Sequence, residues 1–414
     1  MDVLKFSWIK LTQTKALNQP CGNLEKVFFE SSYRLTYVMG LSTSEQSAYY
    51  SVYSGIVKSI IGLFICCELW NLFSETSNLN SIIDNINVTL IHLIAVFRYK
   101  HMVWNESFFK KLATSTQSPY FDISTKERKE LMVLWASKNE KYLRLLLTLG
   151  SCTLSVWYVF PLVDDLQYNL PIEIRLPFDY RNPMLYPLTY ILEVVAINYV
   201  SFFVMTIDVI MQAHLIQLIC HFTVLANCFE NILVDCSPKG LQTTKYVIYN
   251  NKFKTKYLKR FDKLVDQHKF ILKKTLELKK ILSLPMLGQL ASSGMLICFA
   301  GYQVTLTVKL SIAKFLTSLL YLAYSVFQLF IFCRWCDEIK MQSENITNAV
   351  YSSSWNCEIV LISGVRSRIL LVMARAQKPV YLSAGGFCDV SLAAFTILMK
   401  TSYSALTVLL RFQD

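Results

Sequence analysis

The chain has 414 residues, enough for two soluble domains or one polytopic membrane unit, with 53% hydrophobic, 14% aromatic and only 17% charged residues. A soluble globule carries about 25% charge; that deficit and the 28 uncharged residues in a row at Ile281–Val308 argue against a soluble protein. Only 12 Gly and 10 Pro exclude a fibrous or low-complexity chain, and the net charge of +12 gains meaning once its placement is known.

The first residues, Met1–Trp8, carry Asp2 and Lys5 and lack the apolar core of a cleavable signal, so the first span is expected to direct insertion itself. A bilayer core of about 30 Å needs about 20 mostly apolar helical residues. Seven segments qualify: Ala48–Phe73 (with Lys58 and Glu68), Leu79–Phe97 (with Asp84), Leu145–Val163, Leu188–Ile207 (with Glu193), Ile281–Val308, Phe315–Cys333 and Val390–Leu410 (with Lys400). The last is near break-even. Its nine strongly apolar residues contribute roughly 3–5 kcal/mol against about 2.5–3.5 for one lysine, which predicts a helix set inside protein rather than lipid.

Between the spans, Val209–Cys236 continues the fourth without a breaker, reads as one long helix and ends at Ser237-Pro-Lys-Gly240. Lys245–Lys280 places Phe253, Tyr257, Phe261, Leu264, His268, Leu272 and Leu276 on one stripe with lysines opposite. Such a helix lies on anionic lipid or joins a cytosolic bundle; the bundle is favoured because two more cytoplasmic helices need partners. A further helix is expected over Glu358–Lys378, stopped by Pro379, and the prolines in and around Asp164–Pro187 predict an ordered, non-helical lid.

Basic residues stay cytoplasmic. With the N-terminus inside, segments 1–47, 98–144, 213–283 and 333–378 hold 34 Lys and Arg, and the outer segments 74–78, 164–187 and 309–314 hold 4. Seven spans then put the C-terminus outside. The sequons at Asn87, Asn105 and Asn345 fall within a span or inside, where glycosylation does not occur. A G-protein-coupled receptor has the opposite orientation, and neither Asp-Arg-Tyr after span three nor Asn-Pro-x-x-Tyr in span seven is present.

No Walker loop, Gly-x-Gly-x-x-Gly or Gly-x-Ser-x-Gly supports an enzyme, and no cofactor is implied. Cys333-Arg-Trp-Cys336 has metal or redox spacing without a second pair, so a structural role is expected, as it is for His214 and His221 facing a helical neighbour. The C-terminal helix carries a polar line: Thr396, Lys400, Ser404, Thr407 and Arg411, spaced 4, 4, 3 and 4. It makes either interhelical hydrogen bonds or, with lines from other subunits, a conduction path.

The tail Arg375-Ala-Gln-Lys-Pro-Val-Tyr-Leu-Ser-Ala-Gly-Gly-Phe387, followed by Val390-Ser-Leu392, Phe395 and Lys400-Thr-Ser-Tyr-Ser404, resembles the C-terminal signature of insect odorant receptors. Tyr186-Pro-Leu-Thr-Tyr190, the Cys298–Gln303 stretch and the basic helix before span five also fit. The resemblance implies an all-α, seven-transmembrane subunit of an odorant-gated, non-selective cation channel in the plasma membrane, assembled with a coreceptor as a heterotetramer and binding a small volatile apolar ligand, with no nucleic-acid partner. It implies a cytoplasmic segment (1–47), spans one to four with the ligand pocket (48–207), a cytoplasmic helical extension and basic helix (208–283), spans five and six (284–333), an anchor helix (334–389) and a pore-lining helix (390–414). On this chain the implied ligand residues are Asn87, Leu154, Trp157, Tyr158, Ile197, Ser201, Tyr321 and Tyr324. The implied gate is Val408, with Ser404 one turn inward, Arg411 beside the exit and Phe412 at the outer end, on a helix that also carries Lys400 and Thr407. Gustatory receptors, the sister family, end in Thr-Tyr, five apolar residues and Gln-Phe. The matching Ser404-Ala405, Leu406–Leu410 and Arg411-Phe412 point away from them and from the coreceptor's own tail. The alternatives are a gustatory channel subunit, a seven-span receptor signalling through a cytosolic partner, or a transport or scaffold protein.

Overall fold

A computed structural model describes residues 12, 23–43, 47–74, 79–163, 168–172, 174–237, 251–308, 312–354 and 364–411. Helix α1 (Asn23–Val38) precedes α2 (Ala48–Ser74) and α3 (Leu79–Trp104). A short α4 (Glu106–Ala113) leads through a 3-10 turn to α5 (Lys126–Val163); α6 (Tyr186–Glu230) and α7 (Ile232–Cys236) follow. Then come α8 (Asn251–Thr307), α9 (Ile312–Ser354) and α10 (Val365–Ala376), a hairpin of β1 (Ser383–Ala384) and β2 (Cys388–Asp389), and α11 (Leu392–Arg411). Five of the expected spans lie within one long helix each, Ile281–Val308 runs one residue past α8 and Val390–Leu410 begins two residues before α11; six of the seven long helices are long and apolar enough to cross a membrane. The exception, α3, turns Asn85, Asn87, His92 and Arg98 inward.

The helices outrun the spans. At 1.5 Å per residue, the 45 residues of α6 reach about 68 Å and the 57 of α8 about 86 Å, more than twice a bilayer core. Helix α6 is the hub, packed on α1, α2, α3, α5, α8 and α9. Ala213, Leu215, Ile216, Gln217 and Ile219, on all its faces, are fully buried, as in a helix that is core all round. Span five and the basic helix before it are one helix rather than two. Pro285 lies inside it, and the buried Leu282 and Met286 on either side offset the lost backbone bond.

The stripe on α8 packs against protein from Phe253 to Leu272, with Phe229 and Phe261 in edge contact at 5.8 Å. Leu276 is exposed instead, because three successive steps of four residues from Leu264 rotate it about 120° off the stripe; Thr275 and Leu278 are buried in its place. The extension of span four is not one helix to Cys236, since Asn231 separates α6 from α7. Of the expected anchor helix Glu358–Lys378, the described residues form a helix over Val365–Ala376; residues 355–363 lie outside the described set, as do Lys245, Asp164, Asp165, Phe412 and most of 1–22.

Two buried charge clusters fix the helices. Arg98 on α3 is 2% exposed and bonds Asp208 of α6 and Gln289 of α8, each at 2.6 Å; Gln328 of α9 donates to the same aspartate. At one end of the bundle Arg128, fully buried at the start of α5, bonds Asp235 of α7 at 2.7 Å, Asn227 of α6 and Asp122. Arg260 of α8 joins the same two carboxylates. Burial pushes the Asp122 carboxyl up, but hydrogen bonds from Ser124 and Arg260 outweigh it and hold it at about 2.

The hairpin pairs Ser383 with Asp389 and Ala384 with Cys388. Gly385 has φ +60° and donates its N–H to the carbonyl of Ser283 at 2.8 Å; a Cβ there would lie 2.6 Å from Leu287. The glycines of the Ser-Ala-Gly-Gly-Phe motif therefore seat the turn against α8 just before α11 begins.

Replacing Arg98 by Met leaves Asp208 buried and uncompensated and is expected to destabilise the purified chain by about 3–5 kcal/mol in thermal or denaturant unfolding. Because the folded Asp122 titrates below its ordinary 3.8, its contribution is present above about pH 4 and is lost as the pH falls toward 2. Asp122→Asn is expected to remove that acid-side slope from the unfolding curve.

Candidate functional site

Polar residues on α3 and aromatic residues on α5 and α9 meet beside the loop that precedes α6. They enclose two adjoining chambers. The larger, about 220 Å³, is lined by Asn85, Asn87, Pro171, Gln303, Lys314 and Thr317 among others. The smaller, about 50 Å³, lies deeper, among Ile91, His92, Gly150, Leu154, Ser201, Met205 and Tyr324. Val88, Trp157 and Tyr321 line both. The Trp157 and Tyr321 rings stand 5.7 Å apart, so this aromatic pair is the partition between them.

Each wall is held by its own bonds. The Tyr321 hydroxyl points to the Asn87 carbonyl at 3.4 Å, and the Asn87 amide donates to Gln303 of α8 at 3.3 Å. Over the larger chamber, Ile172 donates its N–H to Glu193 at 3.0 Å and the Tyr186 hydroxyl donates to the Asn169 carbonyl at 2.7 Å. These bonds pin the non-helical loop to α6, and the loop's own Leu170, Ile172 and Ile174 are buried. Behind the smaller chamber, His92 Nδ1 sits 2.8 Å from Glu68 of α2, both buried. Among the described residues, three buried polar atoms of chamber-lining side chains have no partner within the protein: Asn85 Nδ2, Asn87 Oδ1 and the Tyr324 hydroxyl. A ligand with a single polar group has somewhere to place it.

Of the eight expected ligand residues, Asn87, Trp157 and Tyr321 line the larger chamber, and Leu154, Trp157, Ser201, Tyr321 and Tyr324 the smaller. Tyr158 and Ile197 line neither. The Tyr158 carbonyl accepts from the Tyr190 hydroxyl, and Ile197, 1% exposed, packs in the core. The sequence reading missed His92, Gly150 and Met205. His92 had a signal: a glutamate inside an apolar span calls for a buried partner. Gly150 and Met205 had none, because their match is across two helices. A Cβ on Gly150 would lie 2.2 Å from Met205 Cε.

The polar line on α11 lies where its spacing put it. Thr396, Lys400, Ser404 and Arg411 are exposed and Thr407 half-buried, while Val408 is exposed on the neighbouring flank. The opposite side packs on α8 and α9. Leu398 and Leu406 rest against Gly294 and Gly301, one heptad apart on α8, and Ser402, the buried residue of α11, donates to the Gly294 carbonyl at 2.9 Å. His214 and His221 face neighbouring aromatics, Phe29 and Phe121, at 4.7 and 4.6 Å. Cys333 and Cys336 are buried free thiols.

Seven long helices, six of them apolar enough to cross a membrane, packed around two adjoining chambers fit a multi-pass membrane receptor for small molecules. Residues 78–403 match the family model described as 7tm Odorant receptor, and the chain belongs to that family. Odorant receptor 10 of Aedes albopictus is 24% identical over 78% of this chain and 82% of its own length. Odorant receptor 94a of Drosophila melanogaster is 26% identical over 60% of this chain, an alignment that spans 59% of that relative. The solved olfactory receptor OR5 of Machilis hrabei, in complex with eugenol, shares the fold with a TM-score of 0.77 and 20% identity, over 94% of this chain and 99% of that one. This protein is thus an odorant receptor subunit of the plasma membrane.

Gly150→Ala is expected to force Met205 out of its rotamer and to lower the unfolding free energy by about 1–3 kcal/mol. Adding Met205→Ala should recover part of the loss, as read in thermal unfolding of the purified pair of variants.

Proposed function

We propose that this chain is the odorant-tuning subunit of a non-selective cation channel, completed by a coreceptor into a heterotetramer, with its N-terminus in the cytoplasm. The observation that carries this reading is the one-sided packing of α11: a membrane-length helix whose polar line is left open by its own chain. One such line cannot enclose a pore, and a ring of four chains can. In a ring of four identical chains Arg411 would present four positive charges to a passing cation; partner chains uncharged at that position remove most of that barrier. The excess of 34 basic residues on one side of the spans over 4 on the other supports the orientation.

The ligand site in this reading is the double chamber, with Asn87, Leu154, Trp157, Ser201, Tyr321 and Tyr324 in contact with the odorant. A volatile is small and mostly apolar, so burial at about 25 cal/mol per Å² supplies most of its affinity, and the Tyr324 hydroxyl selects a polar group. Helix α8 links chamber and gate. It presents Gln303 to the larger chamber and, two residues away, Gly301 to Leu406 of α11. An odorant that displaces α8 therefore displaces the helix carrying Val408, and a ring of valines closes by dewetting.

Co-expression with a coreceptor is expected to give inward current on odorant application. Val408→Ser should raise the resting current several-fold, and Tyr324→Phe should raise the half-maximal dose about three- to tenfold for hydroxyl- or carbonyl-bearing odorants, the value of one hydrogen bond. Absence of current across a broad volatile panel with the subunit at the surface, or a Val408 variant with unchanged leak and ion preference, overturns the channel reading.

A further inference from the structure

A third cavity, about 380 Å³, lies between α1, α3, α4 and α6 and shares no residue with the two chambers. It begins on α6 at Ile207, 21 residues or about 32 Å along the helix from Tyr186, and so belongs to the opposite end of the bundle from the loop over the chambers. Its walls are largely apolar, with Leu41, Met102, Val103, Phe109, Ile207 and Ile210.

Three polar groups matter to what it would hold. Glu25 already accepts from Tyr33 at 2.7 Å and from Gln117, and Glu106 from Thr43 and Lys110. Neither carboxylate calls for a cationic ligand, and together they oppose an anion. The third is His214, 4% exposed and held between Phe29 and Phe109 at 4.7 and 5.1 Å. It lines the cavity, and its Nδ1 makes no hydrogen bond of ordinary length, with the Gln217 side chain one turn along α6 as its polar neighbour. A buried unpaired nitrogen costs about 1–3 kcal/mol. A hydroxyl both donates and accepts, so it satisfies this atom in either tautomer. The volume falls in the range of small-molecule sites.

We propose that this cavity is a second binding site, for a neutral hydroxyl-bearing amphiphile such as a medium-chain alcohol, which places its hydroxyl on His214 Nδ1 and its chain among Met102, Phe109 and Ile210. Its walls include Tyr99 and Ile207, each one residue along its helix from a member of the Arg98–Asp208 ion pair.

The test is photolabelling of the full-length chain in lipid nanodiscs with a diazirine-bearing octanol, mapped by mass spectrometry. Adducts are expected on Glu25, Tyr99 or Glu106, reduced at least fivefold by excess 1-octanol and not by octane. His214→Phe should abolish them while leaving adducts in the outer chambers unchanged. Met102→Trp, which fills the cavity from α3, gives the same loss should the histidine variant fail to fold. Labelling absent from these residues, or equally suppressed by octane, or unaffected by the variants, overturns the site. Because the readout is positional, its failure leaves the odorant chambers and the channel reading standing.

Discussion

Arg98 is a full charge placed where four helices converge, and the arrangement around it follows from the need to compensate that charge. A buried guanidinium is tolerated only with its partners in place. Here its partners come from α6 and α8, as Asp208 and Gln289, and Gln328 of α9 in turn donates to Asp208. Apolar packing alone would let membrane helices slide, since lipid is as apolar as leucine and gives little drive toward any one register. The ion pair supplies the register. Its two charges lie close enough to act on Tyr324, which lines the smaller chamber.

Helix α8 is shared by two unlike neighbours. Near its C-terminal end Gln303 and Thr307 line the larger chamber, and its glycines turn toward α11. Glycine at the contact brings the two backbones close enough for Ser402 to reach a main-chain carbonyl. The hairpin at Gly385 bonds the same helix lower down. The last helix therefore has both its start and its middle referenced to α8.

The spans were legible because lipid imposes one simple composition rule, which six of the seven long helices meet; α3 departs from it because it turns polar residues inward. Their lengths were not legible. Beyond the bilayer α6 and α8 run into a protein core, where Gln217, Gln267 and Thr275 are as buried as leucine and hydropathy falls silent. Periodicity found the buried stripe of α8 until accumulated drift carried Leu276 off it. The open line on α11 was legible from spacing. In the chambers, the resemblance supplied Trp157, Tyr321 and Tyr324, whereas Gly150 with Met205 and the Glu68–His92 pair depend on which helices adjoin, a fact absent from either segment alone. Tyr158 and Ile197 share helices with true lining residues but face away from the space.

The open side of α11 has a cell-biological consequence. A lone chain in the bilayer leaves Lys400 against hydrocarbon, at about 2.5–3.5 kcal/mol, and in the assembly proposed above that lysine meets water instead. Relative to that assembly a solitary chain, its Lys400 uncompensated, is the less stable form, and the number of complete receptors is set by whichever subunit is in smaller supply.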